Sequence, residues 1–179
     1  MAEHNFTLRI SGDVESRLDD LFEAGCDDAL IHSIDGVWYA DFDREALTME
    51  EAVVSAIADV GSVEGIEVKR VEPDDIVTAS EIAERLGRSR ESIRLLISGE
   101  RGNGDFPAPL SHSRARNKLW HWFEVAEWAD SKGMSVDSLA GETARSIAAI
   151  NAALELNETM RYGLPQITRD AIADIYALG

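Results

Sequence analysis

The sequence predicts an α+β chain, and three observations carry that expectation. Residues 1–75 interleave stretches with an apolar residue at every second position and stretches with the 3.6-residue apolar period. Ser80–Gly99 holds two short helical patterns separated by only four residues, Leu86-Gly87-Arg88-Ser89. Beyond residue 133 the pattern is helical alone.

In chain order, Phe6, Leu8 and Ile10 alternate with Thr7, Arg9 and Ser11, the pattern of a strand with one buried face. Asp13 is placed to cap a helix carrying Val14, Leu18, Leu21 and Phe22 on one side and ending at Gly25. Apolar runs at 29–34 and 37–42 flank Asp35-Gly36, a dipeptide that tolerates the positive φ of a two-residue hairpin turn. Thr48, with Glu51 three residues on, opens a second helix bearing Ala52, Val53, Ala56, Ile57 and Val60, which Gly61 is expected to close. Ile66, Val68 and Val71 mark a last strand, stopped by Pro73. Strand, helix, hairpin, helix, strand is the βαββαβ order of a ferredoxin-like module, expected over residues 1–75. Asp41, Asp43 and Glu45 lack the spacing of a calcium loop and read as a solvated acidic edge.

The 179 residues include 34 acids against 17 Lys and Arg, a formal net charge of −17. Taken whole, that charge opposes nucleic-acid binding. Its distribution is uneven: residues 1–75 hold 20 acids and 5 bases, whereas residues 85–118 hold 8 bases and 3 acids. An acidic module is thus joined to a locally basic one, and any DNA contact is expected to be local and salt-sensitive. The single cysteine, Cys26, excludes an internal disulfide framework and leads to an expected cytoplasmic location. The N-terminus lacks the basic flank and apolar core of a signal peptide. No apolar run approaches the roughly 20 residues that span a bilayer, so no membrane partner is expected.

Two helices joined by so short a turn cross steeply, which is helix-turn-helix geometry. Thr78 and Glu81 have capping-box spacing, Gly87 suits the left-handed end of the first helix, and Ser89 can cap the second. Ile82, Ala83 and Leu86 mark the inner side of the first helix, and Ile93, Leu96 and Ile97 that of the second. Arg90, Glu91, Ser92 and Arg94 lie near the start of the second, where such helices meet base edges. After GERGNG (residues 99–104), Phe106-Pro107-Ala108-Pro109-Leu110 is expected to run extended. Leu110 and Leu119-Trp120 flank the basic loop SHSRARNK and predict a two-stranded wing. A helix to about Ser131 follows, with Phe123, Ala126 and Trp128 inward; the winged unit is expected over residues 76–132.

The pieces 78–83, Leu86-Gly87-Arg88-Ser89, 106–109, 114–118 and 124–128 together resemble the winged helix-turn-helix of the MerR superfamily, in particular its excisionase-like and AlpA-like members. The chain departs from that pattern in a longer segment before Phe106, with glycines at 99, 102 and 104. The resemblance implies double-stranded DNA as partner, with the second helix in the major groove and the wing along the backbone. On that basis the expected DNA-binding residues are Thr78, Ser80, Arg88, Ser89, Arg90, Glu91, Ser92, Arg94, Arg114, Arg116 and Lys118. Guanidinium forks at Arg90 and Arg94 suit guanine edges or phosphate, and Glu91 can accept from cytosine. In the first module, Gly36-Val37-Trp38-Tyr39-Ala40 and Thr48-Met49-Glu50-Glu51-Ala52 are similar to a run in short antitoxins of the HicB type.

Residues 133–179 predict a helical hairpin. Its long first helix carries Val136, Leu139, Ala140, Ala144, Ile147, Ala148, Leu154 and Met160 at helical spacing. Gly163-Leu164-Pro165 breaks it, and a final helix bears Ala171, Ile172, Ile175, Tyr176 and Leu178. Small residues permit close helix approach, and paired half-sites are the common route to specificity, so a homodimer is expected. His4, His32, His112 and His121 have no metal-ligand spacing, and neither a phosphate loop nor a nucleophile elbow occurs. No metal, cofactor or catalytic residue is therefore expected, and no enzyme. The expected function is sequence-specific transcriptional regulation, with repression as its mode. Two alternatives are an antitoxin whose acidic module binds a basic protein and an excisionase-like factor that bends DNA.

Overall fold

The computed structural model of the chain describes residues 1–110, 118–134 and 138–177. Strands β1 (Ala2–Ser11), β2 (Ala29–Ile34), β3 (Val37–Ala46) and β4 (Glu67–Glu72) form an antiparallel sheet in the order β2-β3-β1-β4. One turn of 3-10 helix (Glu15–Arg17) leads into α1 (Leu18–Glu23), and α2 (Met49–Ser62) connects β3 to β4. Alternation puts Phe6, Leu8 and Ile10 of β1 and Ala40 and Phe42 of β3 on one face, all buried. Ala52, Val53, Ala56 and Val60 of α2 join them in one core. The hairpin turn holds Asp35 at φ 52° and Gly36 at φ 80°, the left-handed pair its sequence suits. A bulge between Arg9 and Ile10 sets Ile10 opposite Val68 but Leu8 opposite Val71. It reconciles the odd spacing of Val68 and Val71 with a single inward face.

Three expectations for this half are corrected. Leu18 and Phe22 are 40% and 63% exposed, because so short a helix turns only Leu21 to the core, beside Val14. Asp13 does not cap it; its carboxylate accepts from the Ser16 hydroxyl at 2.5 Å. Gly61 lies inside α2, which ends where Val63 turns extended. Thr48 does cap α2, accepting from the Glu51 N–H at 3.2 Å.

Arg44 of β3 points into the core side and is 8% exposed. Nε and Nη2 fork onto Asp28 at 2.8 and 2.9 Å, and Nη1 reaches Asp59 at 2.7 Å and Ser55 at 3.1 Å. Nη2 also donates to the Gly25 carbonyl at 2.6 Å, and the guanidinium lies 4.8 Å over the Phe42 ring. One side chain thus ties β3 to α2 and to the α1–β2 connection. Neighbouring Cys26 is buried, and loss of water together with Asp59 pushes its thiol up to about 11, leaving it a small apolar group.

The rest of the chain comprises β5 (Ile76–Thr78), α3 (Ala79–Arg85), α4 (Arg90–Ile97), β6 (Leu119–His121), α5 (Trp122–Ser131), α6 (Ser138–Arg161) and α7 (Gln166–Ala177). A second core gathers Val77, Ile82, Ile93, Trp120, Trp122, Val125 and Ala126. Helix α6 serves both cores, giving Ala144 to the second and Ile147 to the first. That double duty explains why its apolar residues do not keep to one stripe. Buried Asn151 accepts from the Val71 N–H at 2.8 Å and donates to the Val71 carbonyl at 3.0 Å, filling the outer edge of β4. Lys69 bridges Glu67 and Glu158 at 2.9 and 2.8 Å beside it. The expected helical hairpin is corrected as well. α6 packs on the body, and α7, redirected at Gly163-Leu164-Pro165, buries no residue. Among the described residues no helix is long and apolar enough to cross a membrane.

Arg44→Met keeps the apolar stem but leaves Asp28 and Asp59 without their cation. It is expected to lower the unfolding free energy by about 2–4 kcal/mol in a denaturant titration, somewhat less than for a fully buried pair. Asn151→Ala strands the Val71 amide and is expected to cost about 1–3 kcal/mol. Hydrogen exchange at Val71 should accelerate in that variant; unchanged protection would contradict the edge-filling role.

Candidate nucleic-acid interface

Residues 78–97 fold as two short helices because each helix end is satisfied locally. Thr78 Oγ1 accepts from the Glu81 N–H at 3.4 Å, and the Glu81 carboxylate accepts from the Thr78 N–H and hydroxyl, both at 2.7 Å. These bonds, the Thr78 N–H first, hold the Glu81 carboxyl below its usual range. Gly87, at φ 59°, lets the N–H groups of Gly87 and Arg88 return to the carbonyls of Glu84 (3.0 Å) and Ala83 (2.8 Å). Ser89 Oγ then accepts from the Ser92 N–H at 3.2 Å and starts α4. Ile82 and Ile93 are fully buried, and Ala83, Leu86, Leu96 and Ile97 pack in the same cluster, as the apolar spacing implies.

Behind this pair, Asp75 fixes β6 and α5. Its carbonyl accepts from the Trp122 N–H at 2.7 Å, Oδ1 accepts from the Phe123 N–H at 3.1 Å, and Oδ2 lies 2.5 Å from His121 Nδ1. His121, the residue at the start of α5, provides no side-chain cap, so Asp75 supplies it from 46 positions earlier. The Trp120 indole donates to the Pro107 carbonyl at 3.0 Å, and Phe106 packs edge-on against Trp120 and Trp128. That anchors the proline-rich segment.

Of the expected wing, the root at Leu110 and Leu119-Trp120 lies within the described residues, and it gains a neighbour that the sequence does not indicate. β6 runs antiparallel beside β5, with Val77 opposite Trp120, and Leu110 adds one bond, from its N–H to the Leu119 carbonyl at 2.8 Å. Arg114 and Arg116, expected along the wing, lie outside the described residues. On α5, Ala126 is buried as expected and Phe123 packs at the margin of the core, but Trp128 does not face inward. Trp122, Val125, Ala126 and Ala129 are buried, whereas Phe123 sits half-buried under the Arg145 guanidinium and the Trp128 indole reaches Asp105 at 3.2 Å.

Ser80, Arg88, Ser89, Arg90, Glu91 and Arg94 are exposed, and Thr78, Ser92 and Lys118 are partly so. Thr78, Ser80, Arg94 and Lys118 come together around one groove of about 460 Å³ floored by Ala79, Ile97 and Trp120. The side chains of Arg88, Arg90 and Lys118 have no hydrogen bond or ion pair among the described residues. Arg94 differs. Glu91 and Glu100 both hold it, with shortest approaches of 3.0 and 3.2 Å. Hydrogen bonding raises the Arg94 pKa and lowers those of both glutamates. The i,i+3 spacing announces Glu91 as a partner. Glu100 and Asp75 escaped sequence reasoning because no spacing signals a contact made through a turn or across 46 residues. Among the described residues, no three His, Cys, Asp or Glu side chains are grouped to hold a metal ion. Comparison of the chain with protein-family models, with curated proteins and with solved structures finds no match in any of the three.

The Glu81 carboxyl sits below its unfolded value of about 4.3, so its stabilisation is complete above that pH and fades as pH falls through the lower folded value. Glu81→Gln is therefore expected to be less stable than the parent at neutral pH and to converge with it in strong acid. Unfolding free energies measured across that range check this; a difference independent of pH would contradict it.

Proposed function

We propose that the protein is a sequence-specific DNA-binding regulator of transcription, working as a repressor, that contacts double-stranded DNA through α3, α4 and the β6 segment. One observation carries this reading. In a chain with twice as many acids as bases, Arg88, Arg90 and Lys118 have no carboxylate partner among the described residues, and the two arginines stand at the exposed start of a capped helix. Unpaired guanidinium groups at a helix start suit phosphate and base edges. The helix pair followed by β6 supports a winged helix-turn-helix. The chain order βαββαβ with strand order β2-β3-β1-β4 supports a ferredoxin-like first module. The surplus acid of that module repels DNA in general, so affinity rests on a few cations and on the right sequence. Paired half-sites favour a homodimer, with α7 available to pair because Ile167, Ile175 and Tyr176 are exposed on it.

A mobility shift of the full chain on its own upstream DNA tests the reading. Arg88→Ala and Arg90→Ala are each expected to weaken binding by about tenfold or more, the scale of a lost base or phosphate contact. Arg9→Ala, which removes a cation from the sheet, is expected to leave binding unchanged. Absence of any shift with the parent, or equal binding by the parent and both of these variants, would overturn it.

A further inference from the structure

Arg94 is the one arginine of α4 that is already held, and the manner of holding is informative. A guanidinium offers two edges to a planar acceptor pair: the side-on edge, Nε with Nη2, and the end-on edge, Nη1 with Nη2. Glu91 takes the side-on edge, accepting from Nε at 3.0 and 3.1 Å and from Nη2 at 3.0 Å. Of the two end-on nitrogens, Nη1 meets Glu100 at 3.2 Å, and among the described residues no second acceptor faces it. The Glu91 and Arg94 side chains are 65% and 53% exposed, while Ile93 beside them is buried, so the pair stands on the outward face of α4. Glu100 lies beyond the helix, and its carboxylate also accepts from the Ser98 hydroxyl at 2.9 Å.

Resting on the DNA reading above, we propose that Arg94 reads a guanine through its end-on edge, that Glu91 is the positioning residue fixing the guanidinium plane, and that Glu100 covers that edge until DNA displaces it. Guanine presents O6 and N7 side by side in the major groove, a match for two parallel N–H donors; adenine puts an N6 donor where O6 would be. An unheld arginine loses side-chain freedom on making that fork. Here the side-on contact with Glu91 has fixed the plane beforehand and leaves both end-on donors directed away from the carboxylate. Glu100 is a weak competitor, because exposed ion pairs contribute little and are screened by salt. Displacing it frees Nη1 without disturbing Glu91.

The test is selection of a randomised duplex pool by the full chain, with sequencing of the bound fraction, for the parent, Arg94→Ala, Glu91→Ala and Glu100→Gln. The parent is expected to enrich guanine at one position by about tenfold or more over the other bases. Arg94→Ala should flatten that position alone, and Glu91→Ala should reduce its preference several-fold with an unchanged melting curve. Glu100→Gln should keep the preference and tighten binding. If Arg94→Ala weakens every sequence equally and leaves the profile intact, Arg94 grips phosphate, and the proposal falls while the DNA reading stands. An unaltered profile in Glu91→Ala removes the positioning role. If the parent binds no duplex, the DNA reading itself fails and takes this proposal with it.

Discussion

The position of the second core, and of the helix pair built on it, depends on the carboxylate of Asp75. It is 2% exposed, a place where an unaccompanied charge is strongly unfavourable. Its surroundings answer that with the N–H of Phe123 and the ring of His121, while its own carbonyl takes the N–H of Trp122. Asp75 sits between β4 and β5, so a single residue sets where α5 begins relative to the strand that leads into α3. From that start α5 delivers Val125 and Ala126 beneath Ile82 and Ile93. The Arg85 guanidinium lies 5.0 Å over the Trp122 ring and closes the same junction from the α3 side. The direction in which the α3–α4 turn presents Arg88 and α4 presents Arg90 follows from these contacts.

Helix α6 is the second constraint. With Asn151 seated on the backbone of β4 and Ala144 packed into the other core, it joins the two halves through packing as well as through the short connection after Pro73. Arg145 adds a bridge to Glu127 and lies over Phe123, and Arg161 reaches Glu67. The acidic sheet is thereby tied, through α6, to the core on which the helix pair is built. For the proposed DNA contact this means that repulsion from the first module is present at every encounter, and only a well-matched set of cation contacts offsets it.

What the sequence revealed was local. The Asp35-Gly36 turn, the Thr48 and Thr78 caps and the inner residues of α3 and α4 each follow from a few neighbouring positions, because hydrogen bonds and periodicity act over one or two turns. The order of elements in the first module and the split of charge were legible for the same reason. The misses share the opposite cause. Whether Leu18 and Phe22 are covered depends on what lies over a six-residue helix, and β6 chose β5 as its neighbour because Asp75 draws the start of α5 to that strand. Asn151, Asp75 and Glu100 act on partners that sequence spacing cannot indicate. At the proposed interface the arginines are visible from composition, while the contrast between Arg88 and Arg90, without a side-chain partner among the described residues, and the doubly held Arg94 arises only in the folded chain.

Hydrogen exchange of the full chain with and without a bound duplex asks most directly whether DNA is contacted through α4. Added protection confined to residues 88–98 and the β6 segment, with the sheet exchanging as before, is the expected result. Protection on the β2–β3 hairpin instead, with α4 exchanging at its free rate, would contradict it.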